Sequence, residues 1–249
     1  MKRRDVILAS VGMLVPALGR AAQPCPPPQV SVAGGATAST TCVIAPKRTY
    51  STNFAATENP ISEGGVWTRG GVEGRLWTSP QTIPGVCFPT QNDHAIPPYD
   101  DSIACLSGFA ANQKAKCVLH RNSPAGEHEV EMLLRFQISS GLARGYEVSV
   151  LQGGTVYVVR WNGALNDYTQ LAGPISTNVN AGSGATWEAQ IVGSVLTVTC
   201  NGAQVYTGDV SQVSGQYWSD GNPGMGFWYH NTSDAKSNFG MSHFEATDL

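Results

Sequence analysis

Between residues 127 and 136 the chain reads EHEVEMLLRF, and its polarity alternates. Val130, Met132, Leu134 and Phe136 fall on one side of an extended chain, and Glu127, Glu129, Glu131, Leu133 and Arg135 on the other. A period of two predicts a strand with one buried and one wet face. The same rhythm recurs downstream around glycine turns. Taken as a two-residue hairpin loop, Gly153-Gly154 sets Tyr146 opposite Trp161, Val148 opposite Val159 and Val150 opposite Tyr157 on one apolar face. That register pairs Glu147 with Arg160 on the polar face. Gly193-Ser194 likewise pairs Trp187 with Cys200, Ala189 with Val198 and Ile191 with Leu196. Asn201-Gly202 continues the meander, pairing Val198 with Val205 and Cys200 with Ala203. Hairpins whose apolar partners share a face predict packed antiparallel sheets: an all-β, two-sheet sandwich in one domain of roughly 200 residues, with little or no helix.

The N-terminus breaks this pattern. Lys2, Arg3 and Arg4 precede an apolar run from Val6 to Leu18 and a small-residue site at Gly19-Arg20-Ala21, which predicts a signal peptide over residues 1–21. The arginine pair fits the twin-arginine export route as well as the general secretory one, and either predicts a periplasmic or secreted protein. The run is too short to span a bilayer as a permanent helix, so no membrane partner is expected after cleavage. Residues 22–47, with Pro26-Pro27-Pro28, form a Pro/Ser/Thr-rich lead-in, and the sandwich is expected over 48–249.

Composition narrows the chemistry. Glycine makes up 28 of 249 residues, above the roughly 7% of average usage, which suits a fold with many turns. A net charge of −3 with 13% charged residues lacks the clustered Lys and Arg of a nucleic-acid partner. In an exported chain the even set Cys25, Cys42, Cys87, Cys105, Cys117 and Cys200 predicts disulfides, and no Cys-x-x-Cys pair suggests zinc or dithiol redox chemistry. Cys117 and Cys200 both point inward in the predicted strands, which makes them one candidate bridge.

Several segments together carry a family resemblance: Asn59-Pro60-Ile61-Ser62-Glu63-Gly64-Gly65-Val66-Trp67, Tyr99-Asp100-Asp101-Ser102-Ile103-Ala104, Glu129 to Arg135, Gly145-Tyr146-Glu147-Val148, Val159-Arg160-Trp161-Asn162-Gly163 and Gly221-Asn222-Pro223-Gly224-Met225-Gly226-Phe227. Over roughly residues 50–249 the chain resembles the concanavalin A-like lectin/glucanase superfamily, including laminin G-like modules of exported bacterial proteins. The resemblance implies a jelly roll whose concave sheet binds a poly- or oligosaccharide. It also implies a rival activity, polysaccharide cleavage by a glycoside hydrolase of glucanase type, or by a lyase. Glu127, Glu129 and Glu131 mimic the alternating acids of the glucanase strand, although His128 and Val130 interleave three glutamates where that strand has a Glu-x-Asp core. The Gln-x-His strand of alginate-lyase jelly rolls is absent. A structural or adhesion module without a glycan site is the third reading.

The candidate site residues follow from these alternatives. Glu129 and Glu131, two apart on a strand and so about 6.6–6.8 Å apart at the backbone, suit the carboxylate pair of a glycosidase; the plain alternative is a solvated strand face. Arg135, Glu147 and Arg160 are candidate polar contacts to sugar, with Glu147–Arg160 alternatively a simple cross-strand ion pair. Trp67, Trp77, Trp218 and His230, with Trp228 and Tyr229, are candidate stacking platforms, because pyranose rings lay their C–H faces on aromatic rings; filling the core is the alternative for each tryptophan. No cofactor is required, but calcium is a candidate ligand at Asp93, Asp100 and Asp101, hard oxygen donors beside Asn92, where ordinary turn formation is the alternative.

Overall fold

A computed structural model describes residues 46–73, 77–90, 101–122, 127–164, 167–177, 182–230 and 235–249. The predicted signal peptide, all but the last two residues of the lead-in, Cys25, Cys42, Asp93 and Asp100 lie outside these. Strands follow one another as β1 (Thr49–Thr52), β2 (Thr68–Arg69), β3 (Gln81–Ile83), β4 (Val86–Phe88), β5 (Ser102–Cys105), β6 (Gln113–Arg121), β7 (Glu127–Ser139) and β8 (Leu142–Leu151). They continue as β9 (Thr155–Gly163), β10 (Tyr168–Ser176), β11 (Thr186–Val192), β12 (Val195–Cys200), β13 (Ala203–Asp209), β14 (Asn222–His230) and β15 (Phe239–Asp248). One helical turn at Gly70–Glu73 and a 3-10 turn at Lys236–Asn238 are the helical elements among the described residues.

The strands form two antiparallel sheets, giving the all-β jelly-roll sandwich expected. One sheet runs β13-β12-β11-β6-β15-β4-β3, with β1 also on β15, and the other runs β10-β9-β8-β7-β14-β5-β2. Their facing sides enclose a core that includes Leu119, Val130, Met132, Leu134, Tyr146, Val148, Val158, Trp187, Val198, Phe227 and Phe244. Each such side chain removed from water contributes about 1.5–3 kcal/mol before the entropy of ordering it is subtracted.

The two glycine hairpins turn out differently. At Gly193-Ser194 the ladder is the predicted one, with Trp187 opposite Cys200, Ala189 opposite Val198 and Ile191 opposite Leu196. Beyond Asn201-Gly202 the pairing of Cys200 with Ala203 also holds, but a bulge after Val198 sets that residue opposite Tyr206 instead of Val205. At Gly153-Gly154 the ladder closes earlier, with Val150 opposite Val156. There Gly154 N–H donates to Leu151 O, with Gly154 at φ 83, so the loop is a longer turn with a left-handed glycine. The pairing slips by one residue, and a slip of one flips a face. Glu147 lies opposite Val159 and Tyr146 opposite Arg160. Glu147 and Arg160 therefore occupy opposite faces of the sheet, and the expected ion pair does not form. Trp161 moves with the slip, from the expected inter-sheet core to the outward side.

Cysteines Cys87, Cys105, Cys117 and Cys200 are buried and free, so the expected bridges among them are absent. Cys117 and Cys200 pair with Trp187 from opposite sides. Two ladder spacings, roughly 9–10 Å, separate them, beyond the roughly 7 Å that a disulfide tolerates. Cys87 belongs to the inter-sheet core, whereas Cys105 belongs to a second apolar cluster on the outward side of the seven-stranded sheet. All four behave as small core hydrophobes.

Candidate functional site

The outward face of the seven-stranded sheet is where the alternation of β7 delivers its acids. Val130, Met132 and Leu134 enter the core, so Glu129, Glu131 and Leu133 face outward. Across the ladder from Glu131 stand Ser149 on β8 and Gly226 on β14, and across from Glu129 stand Leu151 and Trp228. Glu147, two residues before Ser149 on β8, shares this face through the pairing of β7 with β8, and the register slip brings Trp161, not Arg160, onto the same side. Gly226 is what makes room: a Cβ there would collide with the Glu131 carboxylate. Asp101, immediately before β5, completes the group. Carboxylate oxygens of Asp101, Glu131 and Glu147 lie within 4.8 Å of one another, and all three residues are buried.

Burial and mutual repulsion dominate the electrostatics. Desolvation, with the carboxylates of Glu147, Asp101 and Glu129 nearby, pushes the Glu131 carboxyl well above the usual range. Desolvation, with the charge of Glu129, pushes Glu147 up to about 7, although Trp161 and Ser149 oppose the shift by hydrogen bonding. Trp161 Nε1–H donates to Glu147 Oε2 at 2.5 Å, and the Ser149 hydroxyl reaches both Glu147 Oε1, at 3.3 Å, and Glu129 Oε2. Glu131 Oε2 is buried with no hydrogen-bond partner. Glu129 is half-buried, and so are Trp228 and, further across the same face, Tyr157 and Tyr168.

The other expected site residues lie elsewhere. A bulge follows Leu134, where Arg135 takes φ 48, and it exchanges the faces of the next two residues. Phe136 joins the outward cluster, and Arg135, 2% exposed, turns inward instead of standing beside the glutamates. There its guanidinium donates to Ala111 O, Tyr217 Oη, Trp218 O and Gly193 O at 2.6–3.2 Å. Arg160, 3% exposed, also faces inward and donates to Asn162 Oδ1, Gln216 O, Thr169 Oγ1 and Ser214 O. With these groups already engaged, neither arginine meets a sugar on the acidic face.

Trp67 is core, edge-on to Tyr50 and Phe244, with Nε1–H donating to Glu63. Trp77 is 1% exposed and packs edge-on against Trp161, which rules it out as an open platform. Trp218 is half-buried, donates to Trp161 O and lies under the Arg144 guanidinium at 4.3 Å, so its ring already has a partner. Tyr229 is buried and stacked on His128. His230 pairs with Glu127 at the backbone, and its side chain lies outside what is described. Of the expected calcium ligands only Asp101 is described, and it sits with the strand acids and not in an open loop. Ser149, Tyr157 and Tyr168 were missed, although the correct register places Ser149 beside Glu131 and Tyr157 opposite Ser149.

No protein-family model and no curated protein sequence matches the chain. Solved structures similar to it include a carbohydrate-binding module, CBM66, from Bacillus subtilis, at 14% identity and a TM-score of 0.42 over 74% of this chain and 92% of that one. A xylan β-1,4-xylosidase from Bacillus halodurans aligns at 14% identity and a TM-score of 0.48, over 80% of this chain and 39% of that one. A β-porphyranase from Bacteroides plebeius aligns at 10% identity and a TM-score of 0.47, over 83% of this chain and 94% of that one. At such identities the likeness is one of fold alone.

Proposed function

We propose that this protein is an exported carbohydrate-binding sandwich that recognises a poly- or oligosaccharide on the outward face of its seven-stranded sheet. The observation that carries the reading is the half-buried carboxylate of Glu129, set directly across the ladder from the half-buried ring of Trp228, with Tyr157 and Tyr168 further along the same face. An aromatic ring takes the C–H face of a pyranose, and an adjacent carboxylate accepts from its hydroxyls. Glycan-array screening followed by calorimetry tests it. Trp228→Ala and Glu129→Gln should each weaken binding at least about tenfold, the equivalent of about 1.4 kcal/mol. Binding that neither change affects, or no binding across plant and bacterial polysaccharides, overturns the reading.

One observation favours cleavage as a second reading: burial among carboxylates pushes Glu131 well above the usual carboxylate range and Glu147 up to about 7, the direction a general acid requires. Accessibility ranks it second. A general acid has to come within hydrogen-bond reach of the glycosidic oxygen, and Glu131 is 1% and Glu147 5% exposed. Release of new reducing ends, abolished by Glu131→Gln, would put the hydrolase first.

A further inference from the structure

We infer that Asp101, Glu131 and Glu147 form a binding site for one hard divalent cation of calcium type, beneath the outward face of the seven-stranded sheet. The ligand set comes from three separate segments: Asp101 from the chain entering β5, Glu131 from β7 and Glu147 from β8. Their oxygens converge within 4.8 Å. At calcium–oxygen distances of about 2.3–2.6 Å, oxygens on opposite sides of the ion stand about 4.6–5.2 Å apart, so the cluster already has the span of a coordination shell. Three carboxylates supply up to six oxygens, enough for calcium's lower coordination number, and offer no nitrogen or sulfur that would favour zinc or copper.

Glu131 Oε2 is an independent pointer to a ligand. It is buried, lies over Gly226 on β14, the strand between β7 and the β5 that Asp101 precedes, and has no hydrogen-bond partner. Such an atom loses its hydration without replacement. The charges acting on Glu131 are those of Glu147, Asp101 and Glu129, all of one sign. A cation at the centre satisfies the orphan oxygen and offsets that repulsion together. Trp161 and Ser149, which donate to Glu147, then act as the outer groups that fix a ligand's orientation. Gly226, the neighbour that cannot carry a side chain without displacing Glu131, gives that carboxylate its place on the β14 side.

The site stands apart from the glycan reading, because its readout needs no sugar. Protein stripped with EDTA and exchanged into chelator-free buffer at pH 8 is titrated calorimetrically with calcium chloride, and in parallel with magnesium chloride. One saturable calcium site per chain, with calcium tighter than magnesium, is expected. Terbium bound in its place should show luminescence sensitised through Trp161. At about 100 times Kd, calcium should raise Tm by about 5–10 °C. Glu131→Gln should weaken calcium binding at least tenfold; should that variant fail to fold, Asp101→Asn, outside the strands, carries the same expectation. No saturable calcium binding by the wild-type protein, tighter magnesium binding, or affinity unchanged in these variants overturns the inference.

Discussion

Arg135 and Arg160 are buried as deeply as Glu131 and Glu147, on opposite sides of the same sheet, yet their surroundings differ in kind. The arginines face inward, and each guanidinium meets four acceptors; between them they hold Ser214 O, Gln216 O, Tyr217 Oη and Trp218 O, which ties the segment joining β13 to β14 against the sheets. The glutamates face outward into other carboxylates, and one oxygen of Glu131 has no partner at all. A buried charge whose hydrogen-bonding capacity is filled is architecture. One left partly unfilled and crowded by its own sign stores free energy that a proton or a ligand can release. The acidic side is thus where chemistry is sought, and the arginine side explains how the end of the sandwich is closed.

The sharpest way to break this contrast is to remove an arginine. Arg135→Ala removes the donor to Ala111 O, Trp218 O and Tyr217 Oη and leaves Gly193 O only its bond from Tyr217 Oη. Hydrogen bonds from a charged group contribute about 1.5–3 kcal/mol each, reduced here because the acceptors sit on exposed or half-buried residues that water reaches. A loss of about 3–5 kcal/mol in urea unfolding is expected, with glycan and cation affinity unchanged in the folded fraction. A loss under about 1 kcal/mol would mean that the guanidinium is not the staple described.

The next effect reads the acids directly. An unfolded Glu titrates near about 4.3, whereas Glu147 titrates at about 7 in the fold and Glu131 is also raised. Between those values the folded state binds more protons than the unfolded one, so stability is fully present below about pH 4.3 and is lost as pH rises through the folded pKa. In EDTA, urea midpoints should therefore fall from pH 5 to pH 8, on the order of 3 kcal/mol for Glu147 alone, with Glu131 extending the loss upward. Glu147→Gln, which keeps an acceptor for Trp161 Nε1–H, should flatten the slope. A flat wild-type profile would show the acids to be better solvated than their burial implies.

Much of this contrast was legible in the sequence. The period-two run over 127–134 announced the acidic face, and the Gly193-Ser194 hairpin came out in register. What failed turned on two local irregularities. Gly153-Gly154 supports either a two-residue loop or a longer turn with Gly154 left-handed, and the choice decides whether Arg160 stands on the same face as Glu147 or on the opposite one. The bulge at Arg135 has no glycine or proline to mark it, so strict alternation placed that arginine on the wrong side. For the four described cysteines parity misled for another reason: a thiol that fills a core position looks, in sequence, the same as one that pairs. The convergence of Asp101 on Glu131 depends on β5 joining β14 and β14 joining β7, long-range pairings that no local pattern encodes.

The smallest effect belongs to a third kind of charge. On the eight-stranded sheet Lys116 stands directly opposite Glu245, with Nζ 3.4 Å from the carboxylate and both side chains about 30% exposed. Water already solvates both partners, so bringing them together changes little, and a double-mutant cycle with Lys116→Ala and Glu245→Ala should return about 0.2–1 kcal/mol, falling as salt is raised. The value matters for the comparison because it separates pairing from burial. If this exposed pair coupled as strongly as a buried group, and kept that coupling at 1 M salt, the different behaviour of the arginines and the glutamates could not be ascribed to their removal from water. A weak, salt-screened coupling leaves desolvation as the cause on both sides of the sheet, filled by carbonyls at Arg135 and left open at Glu131.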